Sequence, residues 1–337
     1  MKCAAAAALL ALASGLLPGS AIADEAPATQ QWDVKLQATY VFQHKYRFQA
    51  AYSGPRSLPT GAERAYSFTT TAYLGVRLWQ GAELYVNPEA VQGIPLAGLQ
   101  GLGGFTNGES QRTTGPNLRL YRARAFLRQT FAAGGASETV ESDTNQLAGS
   151  QSRRRVVLTA GNISVLDVFD RNEYTGDART QFLNWSFLTH GAYDYAADAR
   201  GYTWGLAAEW YYDDWALRFG RFAQPREPNQ LQLEYSLARH FGDQLELEHG
   251  HRLADHPGKV RLLAYRNRAR MSRYRDALDN FERGGALDLN AVRTGDRSKV
   301  GVGLAIEQSL GRDLGLFARA MTADGKTETY AFTEIDR

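Results

Sequence analysis

The sequence predicts an all-β protein, an antiparallel transmembrane β-barrel, and three observations carry that reading. Runs in which apolar and polar residues alternate recur on the order of a dozen times along the 337-residue chain, the pattern of strands with one apolar and one wet face. Most of these runs match the roughly 9–11 residues of a tilted membrane strand, rather than the roughly 5–6 of a soluble sheet. The connections between them alternate between short and long, as periplasmic turns and outer loops do in outer-membrane barrels.

The N-terminus reads as an export signal. Lys2 precedes an apolar run over 4–17, and Ala21-Ile22-Ala23 forms a cleavage site before Asp24, the layout of a secretory signal peptide over 1–23. This leaves 24–337 as a single barrel domain. The only cysteine, Cys3, departs with the signal, so the exported chain uses no disulfide. No later apolar run approaches the roughly 20 residues of a membrane helix. A membrane form must therefore be a closed barrel, which alone satisfies strand backbone groups in lipid. The formal net charge of +2 argues against nucleic acid as a partner.

The strands run in order. Over 35–43, Leu36, Ala38, Tyr40 and Phe42 oppose Lys35, Gln37, Thr39 and Gln43. Over 67–79, Phe68, Thr70, Ala72, Leu74, Val76 and Leu78 oppose Ser67, Thr69, Thr71, Tyr73 and Arg77. Gln80-Gly81 turns the chain into 82–87. Further strands are expected over 118–131, 156–160, 202–212, 215–222, 244–252, 259–266, 299–309, 314–321 and 328–335. Tight turns fall at Gln80-Gly81, Asp213-Asp214, His256-Pro257-Gly258 and Gly311-Arg312-Asp313, and long connections over 44–66, 89–117, 163–201, 223–243 and 267–298. Segment 132–153 breaks the alternation as a long connection on the periplasmic side. Segment 231–241 alternates like a strand, but counting it as one would set the 267–298 connection on the periplasmic side, which places it in an outer loop. Trp79, Trp210, Tyr211, Tyr212 and Trp215 gather beside the short turns, where an interfacial aromatic belt belongs.

Two stretches carry the chemistry. In 118–131, Tyr121, Ala123, Ala125, Leu127 and Phe131 share one face, and Arg122, Arg124, Phe126, Arg128 and Thr130 the other. Three arginines in a row cannot enter a dry core, so they face water or a wet lumen. In 162–202, Asp167, Asp170, Asp177, Asp194 and Asp198 recur with Arg171, Arg179 and Arg200, interleaved with Phe169, Tyr174, Phe182, Trp185, Tyr193 and Tyr195. Acids and amides that bond hydroxyls, beside rings that stack on sugar faces, suit a neutral polyol; an outer loop held together by its own ion pairs would have the same composition. No hydrolase elbow, Walker loop or metalloprotease motif is present. His249 and His251 share a strand face and read as a solvated strand end rather than a metal site. No catalytic residue, cofactor or metal is expected.

With these residues in view, the sequence resembles the carbohydrate-selective porins of Gram-negative outer membranes. The matching stretches are Asn87-Pro88-Glu89, the strand from Arg124 to Thr130, Asp143 to Gly149, Asp167-Val168-Phe169-Asp170, Phe182-Leu183-Asn184-Trp185, Asp194 to Asp198 and Gly201-Tyr202. The resemblance implies a barrel of about sixteen strands that passes sugars by passive diffusion through a narrow point lined by arginines, acids and aromatics. Arg124, Arg128, Glu89, Asp170 and Trp185 become candidate pore residues, and the two charged stretches add Arg122, Asp167, Arg171 and Asp194. The implied partners are carbohydrate solutes, outer-membrane lipid and the barrel-assembly machinery, with the oligomeric state left open. The family's barrels end in a strand with a terminal aromatic residue, whereas this sequence ends at Glu334-Ile335-Asp336-Arg337. About twelve strands are counted, so on the resemblance a C-terminal portion on the order of 100 residues is expected to be missing, with two strand edges left unpaired. Two other classes remain open on the residues alone. One is an outer-membrane barrel enzyme such as a lipid hydrolase, with a serine beside His190 or His249. The other is a secreted β-rich carbohydrate-binding protein.

Overall fold

In a computed structural model, residues 29–54, 57–112, 115–332 and 334–337 are described; the expected signal peptide, 1–23, lies outside them. Eleven strands form one sheet: β1 (Trp32–Lys45), β2 (Glu63–Trp79), β3 (Ala82–Ile94), β4 (Gly115–Ala132), β7 (Arg154–Ile163), β8 (Thr203–Tyr212), β9 (Trp215–Phe222), β12 (Phe241–Leu253), β13 (His256–Arg270), β14 (Asp296–Ser309) and β15 (Gly315–Ala323). Each pairs antiparallel with the one before it in chain order, and β1 and β15 are the outer strands of that order. Two short hairpins stand apart from the sheet. One is β5 (Ser137–Val140) with β6 (Gly149–Ser152), inside the 132–153 connection. The other is β10 (Gln224–Pro225) with β11 (Leu233–Glu234), which leaves 231–240 in a long-loop segment, as its parity required, with Phe241 opening β12.

The alternation read from the sequence sets the two faces of the wall. Leu36, Tyr40, Leu206, Leu245 and Leu262 point outward and are exposed, as is Leu120 at 77%. Inward positions carry Thr71, Glu89, Arg218, Glu246 and Arg261, all buried although polar. A soluble sheet hides its apolar face; here the apolar face is outside and the ionised face inside, the arrangement of a barrel in lipid around a wet lumen. The secreted soluble class is inconsistent with this surface. The sheet curls around the 164–202 connection, because that one segment contacts β2 through Arg179 and Thr71, β4 through Asp167 and Arg124, and β15 through Asp170 and Arg319. The apolar core therefore sits inside the barrel, where Phe169, Tyr193, Tyr195 and Ala196 of this connection pack on Tyr85, Phe126, Phe222, Leu263 and Tyr265 of the wall.

The tight connections join the ends expected. Gly81 has φ +76°, and a Cβ there would collide with the Thr130 carbonyl, so only glycine suits this turn. Trp79, Trp210, Tyr212 and Trp215 are exposed beside these turns, while Tyr211 faces inward onto Glu209.

Three details differ from the sequence reading. The turn before β13 is Ala254-Asp255, both at positive φ, and His256-Pro257-Gly258 already belong to the strand. The signal of a Pro-Gly pair is overridden by a two-residue hairpin whose geometry requires positive φ at both central positions. Segment 328–335 is not a wall strand. The Asp194 carboxylate accepts hydrogen bonds from the backbone N–H groups of Tyr330, Ala331 and Phe332 at 2.9–3.0 Å, which ties this stretch inside the barrel. The main sheet therefore has eleven strands among the described residues rather than about twelve. Finally, β4 carries a bulge. Asn87 pairs with Arg124 but Pro88 pairs with Arg122, so Ala123 is the extra residue and the phase of the strand inverts there. Arg124, Phe126 and Arg128 face inward, whereas Arg122 faces out and lies over the Trp204 ring. The single inner face of three arginines expected from strict alternation thus holds two.

Candidate pore constriction

The narrow region is built where two long loops fold back against the inner wall. Residues 164–202 enter the lumen through a capped turn in which the Ser164 N–H donates to Asp167. Asp167 is held in turn by Arg124, whose Nε and Nη2 each donate at 2.7 Å. The Arg124 guanidinium also lies 5.2 Å from the centre of the Tyr202 ring. A two-pronged arginine–carboxylate contact is both strong and oriented, so it fixes where the loop begins.

Further in, Asp170 adopts φ +52°, an uncommon conformation for a residue with a side chain. Its carboxylate accepts from the Thr189 hydroxyl at 2.6 Å, the His190 N–H at 2.9 Å and Arg319 at 3.2 Å, and its own N–H donates to Glu246 at 2.6 Å. His190 is spent in the same knot, with Nδ1 at 3.0 Å from Asp170 and Nε2 at 3.2 Å from the Leu304 carbonyl. His249 faces outward and stacks on Trp215 at 4.2 Å.

The centre of this charged cluster is Glu89. It accepts from Arg179 at 2.7 Å and from the hydroxyls of Thr71 and Tyr121. Arg179 also donates to Glu109 at 2.8 Å and to Thr71 at 2.8 Å. Arg112, from the 95–114 connection, lies 3.4 Å from Glu109 and 4.0 Å from Glu89. Trp185 stacks on Phe105 at 4.9 Å and 10°, and its indole N–H donates to the Gly104 carbonyl, so it pins the two loops to each other. On the opposite wall an alternating row of charges crosses five strands: Glu209, Arg218, Glu246 with Glu248, Arg261 and Glu307 are linked at 2.5–3.3 Å.

Below this region a cavity of ≈ 810 Å³ runs toward the short-turn end. It lies in the size range of small-molecule sites. Arg124, Arg128, Asp167 and Arg171 line it. Glu89, Asp170 and Asp194 are instead buried, as is Trp185, and hold the loops in place. Arg122 is outside. The hairpin of the 132–153 connection reaches up to form part of the floor, where Asn145 accepts from Arg128 at 2.9 Å and the Leu147 N–H donates to Tyr85 at 3.2 Å. Sequence reading missed Glu109, Arg112 and the five-strand row. All the members of that row fall on polar strand faces, but only the register shows that they meet.

The loop carboxylates set an acid limit. Burial opposes ionisation of Asp167, but the adjacent Arg124 outweighs it and holds the carboxyl below its usual value of 3.8. At Asp170 burial is likewise outweighed, here by the His190 bond and the charge of Arg319. A carboxyl with a lowered folded-state pKa contributes stability above its unfolded value and loses that contribution as pH falls through the folded one. Single-channel conductance is therefore expected to be constant from pH 7 to about 4 and to change only in stronger acid. A transition between pH 5 and 6 would contradict the assignment of these two groups as the loop's anchors.

A sheet with its apolar face outward and two loops folded to a charged narrowing inside defines a channel-forming porin of the outer membrane. The sequence matches the carbohydrate-selective porin, OprB family, over residues 65–334, and the chain belongs to that family. It is an outer-membrane carbohydrate porin of the Gram-negative type, and membership of the family implies a channel rather than an enzyme. A solved structure, the high-pH form of Pseudomonas putida OprB, superposes with a TM-score of 0.62 at 16% identity, covering 88% of this chain and 67% of that one. At that identity it supports the fold alone. No curated protein matches.

Proposed function

We propose that the lumen passes monosaccharides and small oligosaccharides by passive diffusion, with Arg124, Arg128, Asp167 and Arg171 presenting bonding groups to the moving sugar. The observation that carries this reading is the pairing of charges around the cavity. Arg124 is matched by Asp167, and Arg128 stands 3.9 Å from Glu83. Balanced pairs offer donors and acceptors to hydroxyls without the strong field that would hold an ion, and weak binding is what conduction requires. The ring of Tyr211 on the cavity wall adds flat apolar surface for a sugar face. Glu89, Asp170, Asp194 and Trp185 act behind this lining by holding the loops that shape it. The 1–23 signal directs export and is then removed, and insertion uses the barrel-assembly machinery.

Reconstitution into liposomes tests the reading. Swelling in isotonic glucose or maltose is expected to exceed swelling in a zwitterionic amino acid of similar mass. Equal rates for the two would leave a pore without sugar preference.

A further inference from the structure

The lipid-facing surface is apolar along its middle and carries charge at its rims. At the short-turn rim, Arg154 is paired with Asp213 at 2.7 Å and lies over Tyr212. The long-loop rim of β9, β12, β13 and β14 is different. Register places Arg221 opposite Asp243, and Asp243 opposite Arg266. One step further out, Phe241 faces Arg268, and beyond it Arg270 faces Asp296. Paired residues share a face, and this is the outward face of Leu245, Leu217 and Leu262, which continue down the wall. Arg221 and Arg266 lie over the Phe241 ring at 3.9 and 5.7 Å, which leaves this outward phenylalanine buried. Arg239, from the preceding loop, stands 3.6 Å from Asp296.

Five arginines thus gather around two carboxylates. Asp243 is taken up by Arg221 at 2.7 and 2.9 Å. Asp296 is shared by Arg268 at 3.7 Å, Arg239 and His240 at 2.9 Å. Arg266 and Arg270 are exposed and have no carboxylate bond among the described residues.

We propose that this rim binds the phosphate groups of a phosphorylated glycolipid in the outer leaflet. The inference rests on the porin reading, which sets the long loops on the outer side. Arginine forks match phosphate oxygens in two-pronged contacts, and a basic cluster at the headgroup level is a site for anionic lipid. The apolar wall directly below the cluster would take the acyl chains of the same molecule, which a free anion lacks.

The test uses the full chain in detergent, with bisphosphorylated lipid A as probe and its dephosphorylated form as control, read by native mass spectrometry and titration. Lipid A is expected to bind at least about tenfold more tightly than the control, and the variant Arg221→Ala with Arg266→Ala to lose about tenfold. Heat-dependent gel mobility verifies folding. If the double variant does not fold, Arg270→Glu, at an exposed position, replaces it and is expected to weaken binding likewise. Equal affinity for the two lipids, full affinity in the folded variant, or displacement of lipid A by millimolar inorganic phosphate would each overturn the proposal. Loss of lipid binding with sugar permeation intact is the expected pattern in the variants. Lipid binding without any sugar permeation in the native chain would instead remove the porin reading.

Discussion

Arg179→Ala is expected to raise single-channel conductance severalfold and to admit solutes that the native channel excludes. The Arg179 side chain is 5% exposed and those of Glu89 and Glu109 are 0% and 3% exposed, so its guanidinium bridges two carboxylates that water scarcely reaches. Removing one partner of such a buried set costs about 3–5 kcal/mol because the remaining charges are left uncompensated. Arg112, 3.4 Å from Glu109 and 4.0 Å from Glu89, stays as a second positive charge, but it does not bridge the two carboxylates with hydrogen bonds as Arg179 does. The loop offers the least costly relief. Arg179 belongs to 164–202, whereas Glu89 is fixed in β3 by its ladder to β2 and β4. The strain therefore lifts the loop rather than opening the wall, and the constriction widens. Arg179→Lys keeps the charge but not the fork that reaches Glu89, Glu109 and Thr71 together, so it is expected to fall between native and alanine. Planar-bilayer recordings of all three chains, with gel mobility as the measure of folding, would decide it. Native conductance in a folded Arg179→Ala chain would remove Arg179 from the constriction.

Much of this architecture is legible in the order of residues. The period-two pattern assigns Thr71 and Leu74 to opposite faces of β2, because it depends on local chain geometry, and the count of turns places 231–240 outside the sheet. What failed depended on partners distant in sequence. The turn of 328–335 into the lumen is dictated by Asp194, more than 130 residues earlier. The row from Glu209 to Glu307 was present on the correct strand faces, yet no single strand shows which charges will lie side by side. The outward swing of Arg122 did leave a trace. Proline in the interior of a paired strand is confined to edges and bulges, and Pro88 sits in the middle of β3, where the register slips. A strict alternation drawn through Ala123 ignored that signal, and so assigned to the pore a side chain that stacks on Trp204 at the outer surface.

Arg128→Ala is expected to weaken sugar block of the channel by about tenfold, since a hydrogen bond from a charged donor is worth roughly 1.5–3 kcal/mol. Arg128 lines the cavity and is only partly engaged. Its Nη1 donates to the Asn145 carbonyl at 2.9 Å, Glu83 stands at 3.9 Å, and the guanidinium lies 5.2 and 5.4 Å from the Tyr85 and Phe126 rings. The remaining N–H groups are free to meet a sugar hydroxyl, and alanine removes them all. The substitution also releases Asn145, so part of any conductance rise would come from the floor hairpin moving away. Arg128→Lys separates the two effects: a lysine retains the positive charge, and thus the channel's ion preference, without the planar fork that holds Asn145 and presents further donors. Sugar block is then expected to remain weak while ion selectivity returns. Arg122→Ala provides the matched control on the same strand. Because the bulge at Ala123 puts Arg122 on the lipid side, its loss is expected to leave sugar block unchanged. Equal effects of the Arg122 and Arg128 substitutions would mean that β4 runs without its bulge and that all three arginines face the lumen.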